Sequence, residues 1–150
     1  MITSQKMTLS TYGRSEGRSG PRFSLIFPTY NAGSRLERVR KEVSQFIATR
    51  DTDWEVIFVC DGCTDGSQEL LETLAPKGHG RIRVLSYSTN RGKGYAVRQG
   101  LSAARGRSCL FTDVDLAYPF EDVIRLAEAL ENGADVAIAS RTHRDSRLIL

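Results

Sequence analysis

The sequence of 150 residues lacks several features that would assign it to a large class of proteins at once. No run of eighteen apolar residues occurs, so we expect no membrane-spanning helix. The N-terminus lacks the apolar stretch of a secretory signal peptide, and the chain has no Asn-x-Ser/Thr glycosylation site. There are three cysteines, an odd number that does not suit a disulfide framework. Together these absences favour a cytoplasmic location.

Metal-ligating and redox patterns are also scarce. The two histidines, His79 and His143, stand apart from any metal-ligand pattern. The pair Cys60-x-x-Cys63 has no second cysteine pair to complete a zinc site. Because it straddles an Asp-Gly turn, where a neighbouring acid disfavours a thiolate, we expect no redox role for it.

Charge and composition indicate an ordinary globular domain. The net charge of +3 is too small to predict nucleic-acid binding, and 40% of the residues are hydrophobic. Residues 1–21 are rich in Ser, Gly, Thr and Arg and show no periodicity, so we expect a flexible leader there. Residues 22–150 then make up about one domain.

From Arg22 onward the chain repeats a pattern of apolar strand, turn and amphipathic helix. The predicted strands are Phe23–Pro28, Trp54–Cys60, Ile82–Tyr87, Ser108–Thr112 and Asp135–Ser140. Because these runs are continuous rather than alternating, we expect the strands to be covered on both faces. The apolar stripes of the predicted helices run from Leu36 to Ile47, Leu70 to Leu74, Tyr95 to Ala104 and Val123 to Leu130. The alternation predicts an α/β fold, a mostly parallel sheet with helices on both faces, and Gly133 is predicted to end the last helix in the left-handed conformation.

Two carboxylates, Asp113 and Asp115, follow the fourth predicted strand one residue apart. In open parallel sheets, ligands bind in the crevice outside the carboxyl ends of the strands. Magnesium prefers one or two carboxylates together with phosphate oxygens and water. The Asp-x-Asp motif is therefore suited to hold a metal against a nucleotide diphosphate. For this motif alone, a solvated turn after a buried strand stays open as the alternative.

The first two strands end in residues suited to a nucleoside. The first runs into Pro28-Thr29-Tyr30-Asn31, where Tyr30 offers a ring for a base to stack on, although the same residues also make an ordinary turn. The second ends at Asp61, an acid suited to ribose hydroxyls or to the edge of a base. Asp65 or Ser67 is suited to cap the helix that follows.

Basic residues follow the third and fifth predicted strands. Arg91 and Lys93 lie among glycines at a predicted helix start, where free backbone N–H groups, the helix dipole and two cations favour an anion. A solvated basic turn is the alternative. Three arginines, beginning with Arg141, follow Ser140 near the same edge of the sheet.

Five motifs, in this order and spacing, resemble those of the family 2 glycosyltransferases with a GT-A (Rossmann-like) fold. They are Pro28-Thr29-Tyr30-Asn31, Asp61-Gly62-Cys63-Thr64-Asp65-Gly66, Asn90-Arg91-Gly92-Lys93-Gly94, Asp113-Val114-Asp115-Leu116 and Ser140-Arg141. Within that family the chain is most similar to the branch that makes polyprenyl-phosphate sugars, of the dolichyl-phosphate glucosyltransferase or mannosyltransferase type. The resemblance covers about Phe23 to Leu150.

The resemblance implies a role for each of the matching residues. The implied nucleotide-binding residues are Pro28, Thr29, Tyr30, Asn31, Asp61, Asp65, Arg91, Lys93, Asp113, Val114 and Asp115. Asp61 would hold the base or the ribose. Asp113 and Asp115 would meet the ribose, the diphosphate and a Mg²⁺ or Mn²⁺ ion, and with Arg141 they form the implied catalytic set. Cys60 stands where the family usually has a second acid.

The implied reaction is the transfer of a sugar, with inversion, from a nucleotide diphosphate sugar to an acceptor. The resemblance implies UDP-glucose as the donor, with a GDP sugar as the less favoured alternative. It implies a polyprenyl or dolichyl phosphate, or a glycan, as the acceptor, met by peripheral contact at the cytoplasmic face of a membrane. The family's catalytic unit continues past the fifth strand, so we expect this chain to be truncated before the acceptor-binding part and to be inactive alone.

Two alternatives stay open at this point. The first is a module that binds a nucleotide sugar without chemistry. The second is a sugar-nucleotidyltransferase, whose Gly-rich, Arg-containing loop after the first strand is not matched by Pro28-Thr29-Tyr30-Asn31.

Overall fold

The structure, a computed structural model, describes residues 20–50 and 53–140. The predicted leader lies outside this range apart from its last two residues, and Arg141 lies outside it as well. The elements are β1 (Phe23–Thr29), α1 (Arg35–Thr49), β2 (Trp54–Asp61), α2 (Ser67–Glu72), a 3₁₀ turn (Ala75–Gly78), β3 (Ile82–Tyr87), α3 (Lys93–Ala103), β4 (Ser108–Phe111) and α4 (Phe120–Glu131).

The four strands form one parallel sheet in the order β3-β2-β1-β4. Phe23 at the start of β1 lies opposite Trp54 of β2 and Ser108 of β4, so these three strands begin level with one another. Each is joined to the next by a crossover that contains a helix. The predicted α/β fold with a parallel sheet is confirmed, and the carboxyl ends of β1, β2 and β4 share one edge.

Burial follows from the strand order. Every residue of the central strands β1 and β2 is buried. The outer strands β3 and β4 are only partly buried, and Phe111 of β4 is 54% exposed. The expectation of cover on both faces is therefore correct for the central pair and wrong for the two edge strands, because an edge strand has a neighbour on one side alone.

Helix α1 covers one face of the sheet with the apolar stripe predicted for it. Its buried residues recur at helical spacing, at Leu36, Val39, Val43, Phe46 and Ile47. The Phe46 ring packs edge-on against Trp54 of β2, with centroids 5.1 Å apart, and Trp54 stacks on Phe23 of β1 at 4.6 Å. These contacts hold α1 against the side of the sheet on which Phe23 and Trp54 lie.

Helix α3 covers the opposite face and lies very close to it. Ala96 of α3 packs in one cluster with Ile26 of β1 and Ile57 of β2. A Cβ atom added at Gly100 would lie 2.4 Å from the Ile26 side chain, so only glycine permits this approach. The predicted cover of both sheet faces by helices is confirmed.

A buried polar cluster, called here the amino-end network, lies where β1 and β2 begin. The Glu55 carboxylate accepts hydrogen bonds from the Ser24 hydroxyl at 2.6 Å, the Arg105 backbone N–H at 2.6 Å and the Arg83 guanidinium at 3.2 Å. Arg83 also donates to the backbone carbonyl of Ala103, at 2.8 Å. Because Ser24 and Glu55 are almost fully buried, these bonds satisfy groups that water cannot reach. They also tie the end of α3 to the sheet.

The described chain passes from one compact unit to another at Pro119. Within the second unit, α4 begins directly after this proline and has Glu121 and Asp122 in its first turn, where the helix dipole favours acids. Gly133 follows the helix with a φ of +97°, and the N–H of Ala134 donates to the carbonyl of Ala129. This is the left-handed helix ending predicted for Gly133.

Two predicted elements differ from the structure. Asp135–Ser140 forms no strand: Val136 and Ile138 are 58% and 80% exposed, and the segment has no ladder partner among the residues described. An apolar run of strand length becomes a strand only where a neighbouring strand pairs with it. The second helix is shorter than its stripe, because α2 ends at Glu72 and the chain tightens into a 3₁₀ turn that contains Pro76.

No helix in the described ranges has the length and apolarity needed to cross a membrane.

Candidate functional site

A cavity of about 340 Å³ opens at the carboxyl edge of the sheet, within the unit that ends at Tyr118. Its walls come from the ends of β1 and β2, the loops after β1, β3 and β4, and the starts of α1 and α3. The predicted site residues that line it are Pro28, Thr29, Tyr30, Asp61, Lys93, Asp113, Val114 and Asp115. The structure therefore brings together most of the residues that the sequence motifs single out. The volume of the cavity lies in the range of small-molecule sites.

The loop after β1 presents an aromatic ring to the cavity. Pro28 and Thr29 complete the buried strand, and the Thr29 hydroxyl donates to the carbonyl of Phe27 at 3.1 Å. The next residue, Tyr30, is 52% exposed and lines the cavity. An exposed ring on the wall of a cavity is suited to stack against a flat ligand such as a base.

Asn31 ties the first loop to the second and does not line the cavity. Its backbone has a positive φ of 43°, which asparagine adopts more readily than most residues. The Asn31 side-chain oxygen accepts the backbone N–H of Thr64 at 2.9 Å. In this structure Asn31 therefore acts between the β1 and β2 loops.

Asp65 also lies outside the cavity and joins the same two loops. Its carboxylate accepts the backbone N–H of Gly33 at 2.9 Å and that of Ser67, the first residue of α2, at 3.1 Å. Hydrogen bonds, above all with the Ser67 side chain, hold the pKa of Asp65 below its usual value. Asp65 thus takes an N–H at the start of α2, but the N-cap residue is Gly66, so neither Asp65 nor Ser67 occupies the predicted capping position.

Asp61 lies at the end of β2 and its carboxylate faces the loop after β3. One oxygen accepts the backbone N–H of Arg91 at 2.7 Å, and the other accepts that of Gly92 at 2.8 Å. The residue is 3% exposed. Beside it, burial raises the pKa of Tyr87, and the neighbouring Asp61 carboxylate raises it further through its hydrogen-bonding interaction and its charge.

The two cations of the β3–α3 loop point in different directions. The Lys93 ammonium lies on the cavity wall, 2.5 Å from a carboxylate oxygen of Asp113. Arg91 instead lies over the ring of Tyr95, with its guanidinium 4.9 Å from the centroid, and donates to the Tyr95 hydroxyl at 3.2 Å. Arg91 does not line the cavity, so Lys93 is the cation that this loop presents there.

The Asp-x-Asp motif lies in the turn after β4, with both acids exposed on the cavity wall. One oxygen of Asp115 accepts the backbone N–H of Ala117 at 3.0 Å. The next residue, Leu116, is buried with a positive φ of 52°, a strained conformation for a leucine. The turn thus holds the two carboxylates at the edge of the sheet at some cost in local backbone energy.

The three cysteines are free thiols. Burial raises the pKa of Cys60, with a further contribution from the neighbouring Cys63. Cys109 is exposed on the edge strand, and partial desolvation by the surrounding protein, together with the charge of Glu55, raises its pKa. Since the thiolate is the reactive form, these environments make Cys60 and Cys109 less reactive than an ordinary cysteine.

The cavity is also lined by four residues that the predicted site does not include: Arg35, Asn90, Gly92 and Ala96. The signal for Arg35 was its place in the first turn of a helix, where a cation opposes the helix dipole and is unusual. Asn90 and Gly92 belong to the third motif. Ala96 has no polar group, and nothing in its residue type indicates a wall position. The predicted catalytic residue Arg141 lies outside the described residues.

Solved structures share this fold. TarS from S. aureus matches 73% of this chain and 20% of its own, with a TM-score of 0.59 and 25% identity. The mannosyltransferase PcManGT from Pyrobaculum calidifontis, solved with GDP-Man and Mn²⁺, matches 73% of this chain and 40% of its own, with a TM-score of 0.54. At 24% identity the second likeness concerns the fold alone. The GT-A architecture predicted from the motifs is confirmed.

Curated relatives are more similar in sequence. The dolichyl-phosphate beta-glucosyltransferase of Drosophila melanogaster is 38% identical over 138 residues, covering 84% of this chain and 42% of the relative. The enzyme of the same name from Homo sapiens is 32% identical, covering 84% and 43%. A prophage bactoprenol glucosyl transferase homolog of Escherichia coli is 32% identical, covering 85% and 42%. The chain thus spans less than half the length of these relatives.

The sequence pattern described as "Glycosyl transferase family 2" matches residues 24–148, which is most of the chain. This range includes all five motifs and every residue of the cavity wall. The resemblance drawn from the motifs is confirmed, and the chain belongs to glycosyl transferase family 2.

Proposed function

We propose that the cavity binds the donor of a glycosyl transfer, UDP-glucose, and that the protein transfers glucose with inversion to a polyprenyl phosphate. The observation that carries the proposal is the grouping of Asp113, Asp115 and Lys93 on one wall, with the exposed ring of Tyr30 on the same cavity. Carboxylates, a cation and a ring are the groups that a metal-bound nucleotide diphosphate requires. The names of the curated relatives support glucose as the sugar and a lipid phosphate as the acceptor.

The carboxylates fit a divalent metal, Mg²⁺ or Mn²⁺. Asp113 and Asp115 present hard oxygen ligands from one turn, and both are exposed to solvent. In the described part of the chain, no group of three or more His, Cys, Asp or Glu side chains is placed to hold a metal. Two protein carboxylates suit an ion that takes its remaining ligands from phosphate oxygens and water. Such an ion supplies positive charge to the leaving diphosphate.

The remaining cavity residues would orient the donor. Tyr30 would stack on the base, and the Pro28–Thr29 strand end together with Val114 would flank the nucleoside. The Lys93 ammonium, which in this structure pairs with Asp113, is close enough to the acids to meet a phosphate bound beside them. Its charge would stabilise the charge that builds on the diphosphate as it leaves.

The reaction is a displacement at the anomeric carbon of glucose. The second pKa of a phosphate monoester is about 6, so an acceptor phosphate oxygen is largely ionised at pH 7. That oxygen forms the new bond to the anomeric carbon as the bond to the β-phosphate oxygen breaks, and the bonding electrons leave with UDP. Because the nucleophile is already ionised, no strong general base is needed. A lipid acceptor would place the reaction at a membrane surface, and we propose the cytoplasmic face.

Transfer is tested by incubating the chain with radiolabelled UDP-glucose, undecaprenyl phosphate and Mn²⁺, and then measuring label in the lipid phase. Label in the lipid that requires both the lipid phosphate and the metal supports the proposal. Binding of UDP-glucose without transfer to any acceptor, by this chain and by a chain of its relatives' full length, contradicts the transfer and favours a binding-only module. Formation of UDP-glucose from UTP and a sugar phosphate would favour a nucleotidyltransferase.

The donor is tested separately, by a thermal-shift panel of UDP, GDP and CDP sugars with and without Mn²⁺. We expect the largest shift with UDP-glucose in the presence of Mn²⁺. A larger shift with a GDP sugar would contradict the assignment of uridine.

A further inference from the structure

Asp61 is buried at the carboxyl end of β2, and its two oxygens are directed at the backbone of another loop. They accept the N–H groups of Arg91 and Gly92 at 2.7 and 2.8 Å. These bonds cross about thirty positions of sequence and join the end of β2 to the start of α3, since Gly92 is the residue that precedes the helix. A carboxylate that accepts two N–H groups at a helix start neutralises the positive end of the helix dipole there.

The two loops are in direct backbone contact beside this carboxylate. Gly62 has a φ of +66°, and its N–H donates to the carbonyl of Tyr87 at 3.1 Å. A Cβ atom added at Gly62 would lie 2.4 Å from the backbone nitrogen of Asn90. The Asp61 carboxylate and the Gly62 backbone therefore both hold the loop at Asn90–Gly92 in place.

The position of this loop decides where Lys93 lies. Lys93 is the first residue of α3, directly after the two N–H groups that Asp61 accepts, and its ammonium reaches Asp113 of the metal-binding motif. The backbone that carries Lys93 has no other side-chain anchor from β2 among the described hydrogen bonds. A shift of this loop would move the cation away from the acids.

We propose that Asp61 is a positioning residue, which fixes the Asn90–Gly92 loop and thereby aims Lys93 at the diphosphate, rather than the residue that holds the base. The motifs imply contact with the base or ribose, but here both carboxylate oxygens serve the loop and 3% of the residue is exposed. The inference rests on the proposed function, because it assigns Asp61 its role within the donor site.

The test compares the chain with its Asp61→Asn variant by hydrogen exchange without any nucleotide. In this variant an NH₂ group, which is a donor, replaces one carboxylate oxygen and faces one of the two backbone N–H groups, which are donors too. We therefore expect hydrogen exchange of the Arg91 and Gly92 amides to become about tenfold faster or more, as for a lost hydrogen bond to a charged group. Asp65→Asn is the matched control, because Asp65 also accepts two backbone N–H groups. It should speed exchange at Gly33 and Ser67 and leave Arg91 and Gly92 unchanged.

A second readout separates positioning from recognition of the base. Uridine offers an N–H to a carboxylate where cytidine offers a lone pair. A residue that holds the base therefore changes the ratio of UDP to CDP affinity when it is mutated. If Asp61 acts through the loop, Asp61→Asn weakens UDP and CDP by the same factor. The double variant that combines Asp61→Asn with Lys93→Met should then lose little more affinity for UDP than Lys93→Met alone.

Unchanged exchange at Arg91 and Gly92, or a UDP to CDP ratio that collapses towards unity, would overturn the proposal. If Asp61→Asn does not fold, Gly62→Ala presses on the same loop with the carboxylate intact, and it should lower the UDP and CDP affinities equally. The exchange experiment needs no ligand. A failure of the wild-type chain to bind UDP would therefore contradict the proposed function and leave the role of Asp61 to the exchange result.

Discussion

Two carboxylate–cation pairs lie at opposite ends of the sheet and differ in their surroundings. Glu55 and Arg83, at the amino ends of the strands, are 3.2 Å apart, with 3% and 24% of their side chains exposed. Lys93 and Asp113, at the carboxyl edge, are 2.5 Å apart, with 57% and 49% exposed. Glu55 has two further hydrogen bonds from Ser24 and the Arg105 backbone, whereas the described bonds of Asp113 give it Lys93 alone as a side-chain partner.

The difference separates a group that stabilises the fold from a group that can exchange its partners. Removing one member of a buried pair leaves an unpaired charge that water cannot reach, which is strongly destabilising. An exposed pair contributes little, because water solvates each ion when the partner leaves. Asp113 can therefore exchange Lys93 for a metal ion, and Lys93 can exchange Asp113 for a phosphate, at low cost. Glu55 cannot give up Arg83 in this way.

The largest expected effect comes from breaking the amino-end network. Glu55→Ala leaves the Ser24 hydroxyl and the Arg105 N–H without their acceptor and leaves Arg83 with the Ala103 carbonyl alone. Because Arg83 is partly exposed, the free energy of unfolding should fall by about 3 kcal/mol, the lower end for a buried pair. Urea denaturation measures this. Ser24→Ala is the milder companion variant, because it removes one donor to Glu55 and the acceptor of the Gly106 N–H but leaves the ion pair. A loss below that of Ser24→Ala would contradict the role assigned to Glu55.

A smaller loss of stability is expected when an added atom presses on the amino-end network without removing any of its hydrogen-bonding groups. A Cβ atom at Gly106 would lie 2.5 Å from the backbone nitrogen of Ser24 and 2.7 Å from its hydroxyl. Gly106→Ala should therefore cost about 1–3 kcal/mol, as overpacking does. Gly94→Ala is the control, because nothing lies within 4 Å of its added Cβ atom. Equal stabilities for the two variants would count against close packing at Gly106.

At the carboxyl edge a substitution should affect ligand binding more than it affects stability. Lys93→Met removes an exposed cation from the start of a helix, and the free energy of unfolding should change by no more than about 0.5 kcal/mol. The same change should weaken UDP binding about tenfold, because a charge-assisted contact to phosphate is lost. Urea denaturation and calorimetry measure the two quantities. A large loss of stability with unchanged UDP binding would mean that Lys93 is structural.

The smallest effect concerns Asp65, an exposed acid. Its pKa is lowered by hydrogen bonds in the folded state, so its contribution to stability is present at neutral pH and is lost as pH falls below about 3.8. The wild type should therefore exceed Asp65→Asn in stability at pH 7, and the gap should narrow in acid. Urea denaturation across this pH range measures the gap. A gap that stays constant through the acid range would show that Asp65 does not titrate as described.

The carboxyl edge was the more predictable of the two regions. Parallel strands separated by helices place their ends at one edge, so Tyr30, Asp61 and Asp113 were expected together and the structure places them on one cavity. Their hydrogen-bond partners were less predictable. Asn31 and Asp65 have the residue types of a ligand site but bind loop backbone instead, and sequence spacing does not distinguish a backbone N–H from a ligand as the partner of an acceptor.

The amino-end network gave no signal in the sequence. Glu55 lies inside an apolar run that predicts a strand, and its partners Ser24 and Arg83 belong to other strands that only the sheet brings near. The missing fifth strand has a related cause. The residues at Val136 and Ile138 favour a strand, but pairing depends on a neighbour that local sequence does not specify.

The most direct test of the central claim is a calorimetric titration of UDP into the chain, with Mn²⁺ and again with EDTA. The account predicts saturable binding at one site that is lost in EDTA. It also predicts a loss of at least about tenfold in affinity in Asp115→Asn, about 1.4 kcal/mol or more, with the unfolding transition unchanged. Equal binding of UDP with and without the metal, or by Asp115→Asn as tightly as by the wild type, would contradict the assignment of the Asp-x-Asp turn to a metal-bound diphosphate.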